Sequence, residues 1–253
     1  LVDTYDVLRS GVPNAIRAFR EVLVPMGITH CGIRLDSGDI AYLTKKARKM
    51  LDEAGFTDCK IVVSNSLDEN IIRDIIQQGA KIDSFGVGER LITAKSDPVF
   101  GGVYKLVAKE EDGIVVPKIK ISENPEKITN PHFKKVYRIY DKATGTATAD
   151  LMCVYDEVID ETKPLELFDP SETWKRKVCT DYTAKELLVP IFKNGECVYE
   201  TPDIDEIRSY CKAQIMTLWD EVKRFENPHR YYVDLSQKLW DIKHKLLSEN
   251  SKK

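Results

Sequence analysis

The sequence predicts an α/β fold: part of a barrel made of strand–loop–helix units, then an antiparallel β region, then C-terminal helices. Two observations carry this reading. First, the apolar runs Cys31-Gly32-Ile33, Ile61-Val62-Val63 and Ile82-Asp83-Ser84 each lead into a polar turn. Those turns are Arg34-Leu35-Asp36-Ser37-Gly38-Asp39, Ser64-Asn65-Ser66-Leu67-Asp68-Glu69 and Phe85-Gly86-Val87-Gly88-Glu89-Arg90, and helical spacing follows each. Parallel strands joined by helices put their chemistry on loops at the carboxyl ends of the strands. Second, after Tyr104 the pattern changes to short runs divided by Glu111-Asp112-Gly113 and Thr144-Gly145, the signature of antiparallel strands.

The elements follow in order. Leu1–Tyr5 is a candidate strand. Ile16, Phe19 and Leu23 share a helical face that Gly27 ends. A strand around Ile33 precedes the stripe Ile40, Leu43, Ala47 and Leu51, with Ser37 or Asp39 as N-cap and Gly55 as the stop. Strand Lys60–Val63 leads to a helix carrying Ile71, Ile72, Ile75 and Ile76, capped by Asp68 and closed at Gly79. Strand Ile82–Phe85 and a short helix through Leu91 and Ala94 complete the α/β part. Strands are then expected at Val103–Ala108, Val115–Ile121, Lys135–Tyr140 and Ala149–Asp156. Residues 157–203 are weakly patterned except for a hairpin turn at Lys193-Asn194-Gly195-Glu196. Thr201 as N-cap with Pro202 at the first helical position should start a helix with Ile204, Ile207, Cys211, Leu218, Val222 and Phe225 on one face. Asn227-Pro228 breaks it. Leu235, Leu239, Ile242 and Leu246 mark a last helix, and Ser248–Lys253 a frayed tail. The domains expected are 1–108, a partial barrel; 109–203, β-rich; and 204–253, helical.

Bulk composition is that of a globular protein. Of 253 residues, 42% are hydrophobic and 31% charged, with a formal net charge of -3. Basic residues are mixed with acidic ones, so no nucleic-acid footprint appears. No apolar run is long enough to span a bilayer as a helix. The start lacks Met and a signal-peptide pattern and falls inside a strand-like run, which suggests a fragment. The six cysteines form no C-x-x-C pair, which argues against a metal site and for reduced thiols in a cytosolic protein.

Three groups of residues can carry chemistry. Arg34 and Asp36 alternate at a strand end, where they can clamp an acidic substrate and a sugar hydroxyl or simply form a structural ion pair. Phe85-Gly86-Val87-Gly88 follows a strand and opens a helix, so its backbone N–H groups can approach a phosphate, though such glycines also serve packing. Ser64-Asn65 supplies small hydrogen-bonding groups and reads, without context, as a capping turn.

Together these motifs resemble nicotinate phosphoribosyltransferase. Asp3-Thr4-Tyr5-Asp6, Arg34–Asp39, Ser64–Glu69 and Phe85–Gly88 occur in that family's order and spacing. So do Gly101-Gly102-Val103-Tyr104-Lys105-Leu106-Val107 and Ser122-Glu123-Asn124-Pro125-Glu126-Lys127, and the likeness continues through Tyr231–Leu239. It is a likeness to the carboxyl-terminal half of the enzyme. It implies an irregular, TIM-like α/β barrel of the type II phosphoribosyltransferase kind. It also implies formation of nicotinate mononucleotide and diphosphate from nicotinate and 5-phosphoribosyl 1-diphosphate, in NAD biosynthesis. ATP as co-substrate, Mg2+, a homodimer and a cytoplasmic location go with it, with no nucleic-acid or membrane partner.

Carried over by position, Arg34 resembles the arginine that meets nicotinate and Asp36 the carboxylate that holds the ribose hydroxyls. Ser64 and Asn65 fall in the sugar-phosphate loop. Gly86, Val87, Gly88 and Glu89 fall in the phosphate loop, and Asp3, Tyr5 and Asp6 on a strand facing the diphosphate. Two positions depart from the family. Glu89 stands where many relatives have threonine, and His132 where they often have glycine. The family's phosphorylated histidine and its ring-stacking aromatic lie upstream of residue 1, and none of His30, His132, His229 and His244 fits that motif. The chain alone is therefore expected to be inactive. The other readings are a remnant that binds phosphosugar without turnover, a nicotinamide-using relative, or a barrel aldolase, which the lack of a strand-end lysine disfavours.

Overall fold

A computed structural model describes residues 1–99 and 101–250. The chain divides into two compact units, Leu1–Gly102 and Val103–Lys253.

The first unit is α/β. It opens with α1 (Val12–Ala18), flanked by π-type turns at Val7–Gly11 and Phe19–Leu23. Leu1–Tyr5 is not a strand: one backbone bond, from Val2 N–H to the Arg34 carbonyl at 3.1 Å, joins it to its neighbour. Strand β1 (Gly32–Leu35), helix α2 (Ile40–Glu53), strand β2 (Lys60–Val63) and helix α3 (Glu69–Gln77) follow, then β3 (Ser84–Phe85) and α4 (Glu89–Ile92). The sheet is parallel in the order β1-β2-β3, with Leu35 opposite Val63 and Val63 opposite Phe85. It is an open sheet of three strands and does not close into the expected barrel. The third strand is shorter than expected, because only Ser84 and Phe85 find ladder partners on β2.

Burial explains the helices. Ile33 and Leu35 on β1 and Ile61 and Val63 on β2 pack with Ala47 and Leu51 of α2 and Ile75 of α3. Asp39, rather than Ser37, caps α2 by accepting the Tyr42 N–H at 2.9 Å. Asp68 caps α3 in the same way through Ile71 at 2.9 Å. Gly55 and Gly79 end these helices at φ of 90° and 80°, values that only glycine adopts without strain.

The second unit is β-rich. Its first hairpin pairs β4 (Ala108–Glu111) with β5 (Ile114–Pro117). The turn falls where expected, with Asp112 and Gly113 both at positive φ, but β4 begins later and β5 ends earlier than the expected strands. Residues 103–107 are consequently outside any strand. Strand β6 (Lys134–Asp141) then pairs with β7 (Ala147–Val154).

Residues 157–203 hold more order than their pattern suggests. β8 (Leu165–Phe168) pairs with β9 (Arg176–Cys179), and β10 (Tyr182–Glu186) pairs with β6. The expected turn at Asn194-Gly195 joins β11 (Phe192–Lys193) to β12 (Glu196–Cys197).

Helix α5 (Ile204–Met216) begins at Asp203, not Thr201. The Asp203 carboxylate takes the N–H groups of Asp205 and Glu206, and Glu206 returns the bond to form a capping box. The helix stops at Met216, well before Phe225. Leu235 belongs to β13 (Val233–Leu235), which runs parallel to β7, and α6 (Gln237–Asn250) follows. Helix α6 thus extends into the expected tail, whose residues 251–253 lie outside the described residues. The main sheet has the order β10-β6-β7-β13. Ile139, Leu151, Cys153, Leu167 and Tyr182 form its core, and Leu239 of α6 packs with Val154 and Leu235. Among the described residues no helix is long and apolar enough to cross a membrane.

Candidate functional site

Most of the sequence-predicted residues of the first unit, among them Arg34, Asp36, Ser64 and Gly86, lie at the carboxyl ends of β1, β2 and β3. Strand β1 alternates exposed and buried residues, so Ile33 and Leu35 anchor the core while Arg34 is exposed. Asp36 continues the chain past the strand end. Ser64 follows β2, and its N–H bonds the Leu35 carbonyl at 3.0 Å. Gly86 follows β3, and its N–H bonds the Val63 carbonyl at 2.8 Å.

Side chains tie these loops together. One oxygen of Asp3, Oδ2, accepts the backbone N–H of Asp36 at 2.8 Å and the hydroxyl of Ser37 at 2.6 Å. Burial would raise the Asp3 pKa, but the bonds from Ser37 and Asp36 outweigh it and hold the carboxyl below its ordinary value. The Ser64 hydroxyl donates to Oδ1 of Asp36. Gly86 packs against Ser64 so closely that a Cβ on it would lie 3.3 Å from the Ser64 Cβ. Asp3, Asp36, Ser64 and Gly86 therefore form one continuous series of contacts across all three strand ends.

Arg34 makes no ion pair or side-chain hydrogen bond with any described residue. It does not brace Asp36 or Asp39, so its fork of donors remains available to an anion. Asn65 and Ser66 stand at φ of 91° and 49°, a strained backbone for two successive residues with side chains. Strain of this kind is commonly kept where a loop must hold a particular shape for a ligand.

Two expected members are used otherwise. The Asp6 carboxylate caps the first helical turn, accepting the N–H groups of Leu8 at 3.0 Å and Arg9 at 2.7 Å. Tyr5 lies 93% exposed and touches no part of this network. The helix after the glycine loop is also short. Helix α4 spans only Glu89–Ile92, so its dipole is weak and an anion there would depend on the loop N–H groups. The Glu89 carboxylate sits in that first turn.

One pair was not foreseen. The Arg90 guanidinium bonds the Asp68 carboxylate and links the loop after β3 to the loop after β2. The Ile71 N–H first, and then Arg90, hold the Asp68 carboxyl below its ordinary value. The only sequence signal was one opposite charge in each of two neighbouring strand-end loops.

The histidines of the second unit have packing roles. His244 stacks on Trp240 with ring centroids 3.8 Å apart, and His229 accepts the Trp219 indole N–H at 3.2 Å. Among the described residues, no group of three or more His, Cys, Asp and Glu side chains is placed to hold a metal ion. All six cysteines are free thiols.

Comparisons with known proteins show what the chain as a whole is similar to. Residues 133–243 match the model of the nicotinate phosphoribosyltransferase C-terminal domain. The chain is 50% identical over 249 residues to nicotinate phosphoribosyltransferase of Bacillus subtilis, covering 98% of this chain and 50% of that protein. It is 36% identical over 261 residues to the enzyme of the same name from Dictyostelium discoideum, covering 97% and 43%. The crystal structure of human nicotinic acid phosphoribosyltransferase superposes with a TM-score of 0.71 at 25% identity, over 96% of this chain and 45% of that one. The chain thus spans about half the length of the curated relatives it matches.

Proposed function

Because the chain is homologous along nearly its whole length to nicotinate phosphoribosyltransferases, we propose that the protein carrying it joins nicotinate to 5-phosphoribosyl 1-diphosphate, forming nicotinate mononucleotide for NAD synthesis. The observation that carries this reading is the unpaired, exposed Arg34 beside the Asp3–Asp36–Ser64–Gly86 contact series. A free guanidinium fits the carboxylate of nicotinate, which nicotinamide lacks. A carboxylate held by a serine hydroxyl fits the hydroxyls of ribose. We place β1, β2 and β3 in an irregular barrel completed by polypeptide outside this chain.

Cleavage of the anomeric carbon–oxygen bond builds positive charge on the ribose and negative charge on the departing diphosphate. No covalent nucleophile on the protein is required; positioning and charge stabilisation are. Arg34 orients the pyridine acid so that its nitrogen faces the anomeric carbon. Asp36 fixes the ribose, and Ser64 and Asp3 fix Asp36. The N–H groups of Val87, Gly88 and Glu89 receive the 5-phosphate, assisted by the small Gly86.

Magnesium and ATP belong to the proposal, as do a homodimer and a cytoplasmic location. The described residues offer no protein cage for the metal, so no step is assigned to it. The test is an assay of the whole protein with nicotinate and with nicotinamide, each with the diphosphate sugar, with and without ATP. Mononucleotide formed from nicotinate and accelerated by ATP supports the reading. Preference for nicotinamide, or no turnover, overturns it.

A further inference from the structure

The second unit holds a cavity of about 530 Å³ bordered by β7, the β8–β9 hairpin and β13. Asp234 of β13 lies in its wall and is only 6% exposed. Its carboxylate makes no hydrogen bond or ion pair with any described residue. The neighbouring charge is of the same sign: Asp169 also lines the cavity, with one oxygen already accepting the N–H groups of Ser171 at 2.8 Å and Glu172 at 2.9 Å. Among the described residues no fully buried side-chain oxygen lacks a partner, so the Asp234 oxygens are open to the cavity, where an entering donor can reach them. Burial and Asp169 push the Asp234 carboxyl up to about 6, which still leaves it mostly ionised at neutral pH.

The cations around the cavity divide into two kinds. Lys175 is bonded to Glu172 and Arg176 to Glu166, so both are occupied. Lys177 and Arg230 have no ion pair among the described residues. The cavity therefore presents a carboxylate without a hydrogen bond and, on its lining, two cations outside any ion pair, of which Arg230 acts at longer range on Asp169 and Lys177 on Asp141. Its volume lies within the range of small-ligand sites.

We propose that this cavity binds a cationic nitrogen group, a guanidinium or primary ammonium, whose N–H donors meet Asp234, and that Lys177 and Arg230 receive a carboxylate on the same ligand. The group can belong to a free amino-acid-like zwitterion or to an arginine or lysine side chain from polypeptide outside this chain.

The experiment is calorimetric titration of the whole protein with arginine and with agmatine, which lacks the carboxylate, beside melting temperatures. Arginine should bind saturably, and Asp234→Asn should weaken it at least tenfold. Lys177→Met should weaken arginine severalfold and leave agmatine unchanged, which keeps the test intact if Asp234→Asn folds poorly. If a side chain of the protein itself fills the cavity, neither probe binds and Asp234→Asn lowers the melting temperature; that outcome assigns the same chemistry to the second source. Binding that ignores both substitutions overturns the proposal. So does absence of binding with Asp234→Asn melting at or above the wild type, because an empty cavity gains by losing a buried charge.

Discussion

The Ser64 hydroxyl donates to Oδ1 of Asp36, joining the loop after β2 to the loop after β1. Bonds to a charged acceptor contribute roughly 1.5–3 kcal/mol, against about 1.4 kcal/mol per decade of rate. Under the proposed reaction, Ser64→Ala should reduce kcat/KM for the diphosphate sugar by about tenfold or more. The nicotinate KM should move less. Steady-state kinetics with each substrate varied in turn check this, and equal effects on both would show that Ser64 braces the whole site rather than Asp36.

Arg34 is unpaired, so its removal breaks no internal ion pair. Arg34→Ala should raise the nicotinate KM, or lower kcat/KM, by about ten- to a hundredfold. The melting temperature should hardly change. Arg34→Lys should rescue only in part, because an ammonium lacks the planar fork. A lowered melting point with normal nicotinate kinetics would remove Arg34 from the site.

Legibility in the sequence followed the range of the interactions. β2 and the cap at Asp68 were readable because a short apolar run and a carboxylate three residues before its N–H partner are local signals. The Asn194-Gly195 hairpin was readable for the same reason. β10 was not, since Tyr182–Glu186 acquires strand character from β6, some forty residues earlier. Arg34, Asp36 and Ser64 could be picked out because strand-end position is itself a pattern. The Asp68–Arg90 pair could not, because each residue already had a local reading, one as a cap and the other as part of a glycine loop. Asp203 prevailed over Thr201 through Glu206, whose side chain closes the capping box.

The Asp68–Arg90 pair and the bonds on Asp3 imply an acid limit to the first unit. Both carboxyls lie below their ordinary values when folded. Their contribution is complete above the unfolded value, 3.8, and is lost as pH falls through the folded values. Melting temperature should therefore drop on acidification below about pH 4. Arg90→Met should make that drop shallower, because Asp68 then keeps its cap but loses its cation. Asp68→Asn should do the same with the cap retained. An unchanged acid limb in both variants would show that the pair does not couple the two loops.

In the second unit, Arg138 grips Asp150 with two bonds, at 2.8 and 2.9 Å, and the Tyr231 hydroxyl donates to the same carboxylate at 2.9 Å. Burial and the Asp150 charge raise the Tyr231 pKa, so the phenol remains a donor at neutral pH. Asp150→Ala leaves both partners unmatched and should cost roughly 2–3 kcal/mol of stability. Tyr231→Phe removes one donor and leaves the carboxylate its two bonds from Arg138, so it should cost about 1.5 kcal/mol, the low end for a bond to a charged acceptor. Denaturant unfolding of the two variants orders these costs, and Tyr231→Phe as damaging as Asp150→Ala would contradict the shared-carboxylate account.

His132 stands at φ 77°, in the left-handed region that glycine adopts freely. Its N–H bonds the Val107 carbonyl at 2.8 Å, and its ring stacks on Tyr155 at 6.1 Å between centroids. The Lys134 ammonium bonds the carbonyls of Asn130, Pro131 and His132, which holds the loop in this shape whatever residue occupies position 132. The left-handed conformation costs a residue with a side chain about 1–2 kcal/mol. His132→Ala keeps that cost and loses the stacking, so it should be less stable than the wild type. His132→Gly also loses the stacking but escapes the strain, and should exceed His132→Ala by about 1 kcal/mol after the entropy of a freer unfolded chain is subtracted. Denaturant unfolding of the three proteins decides the matter. If alanine and glycine are equally stable, the backbone at position 132 carries no strain.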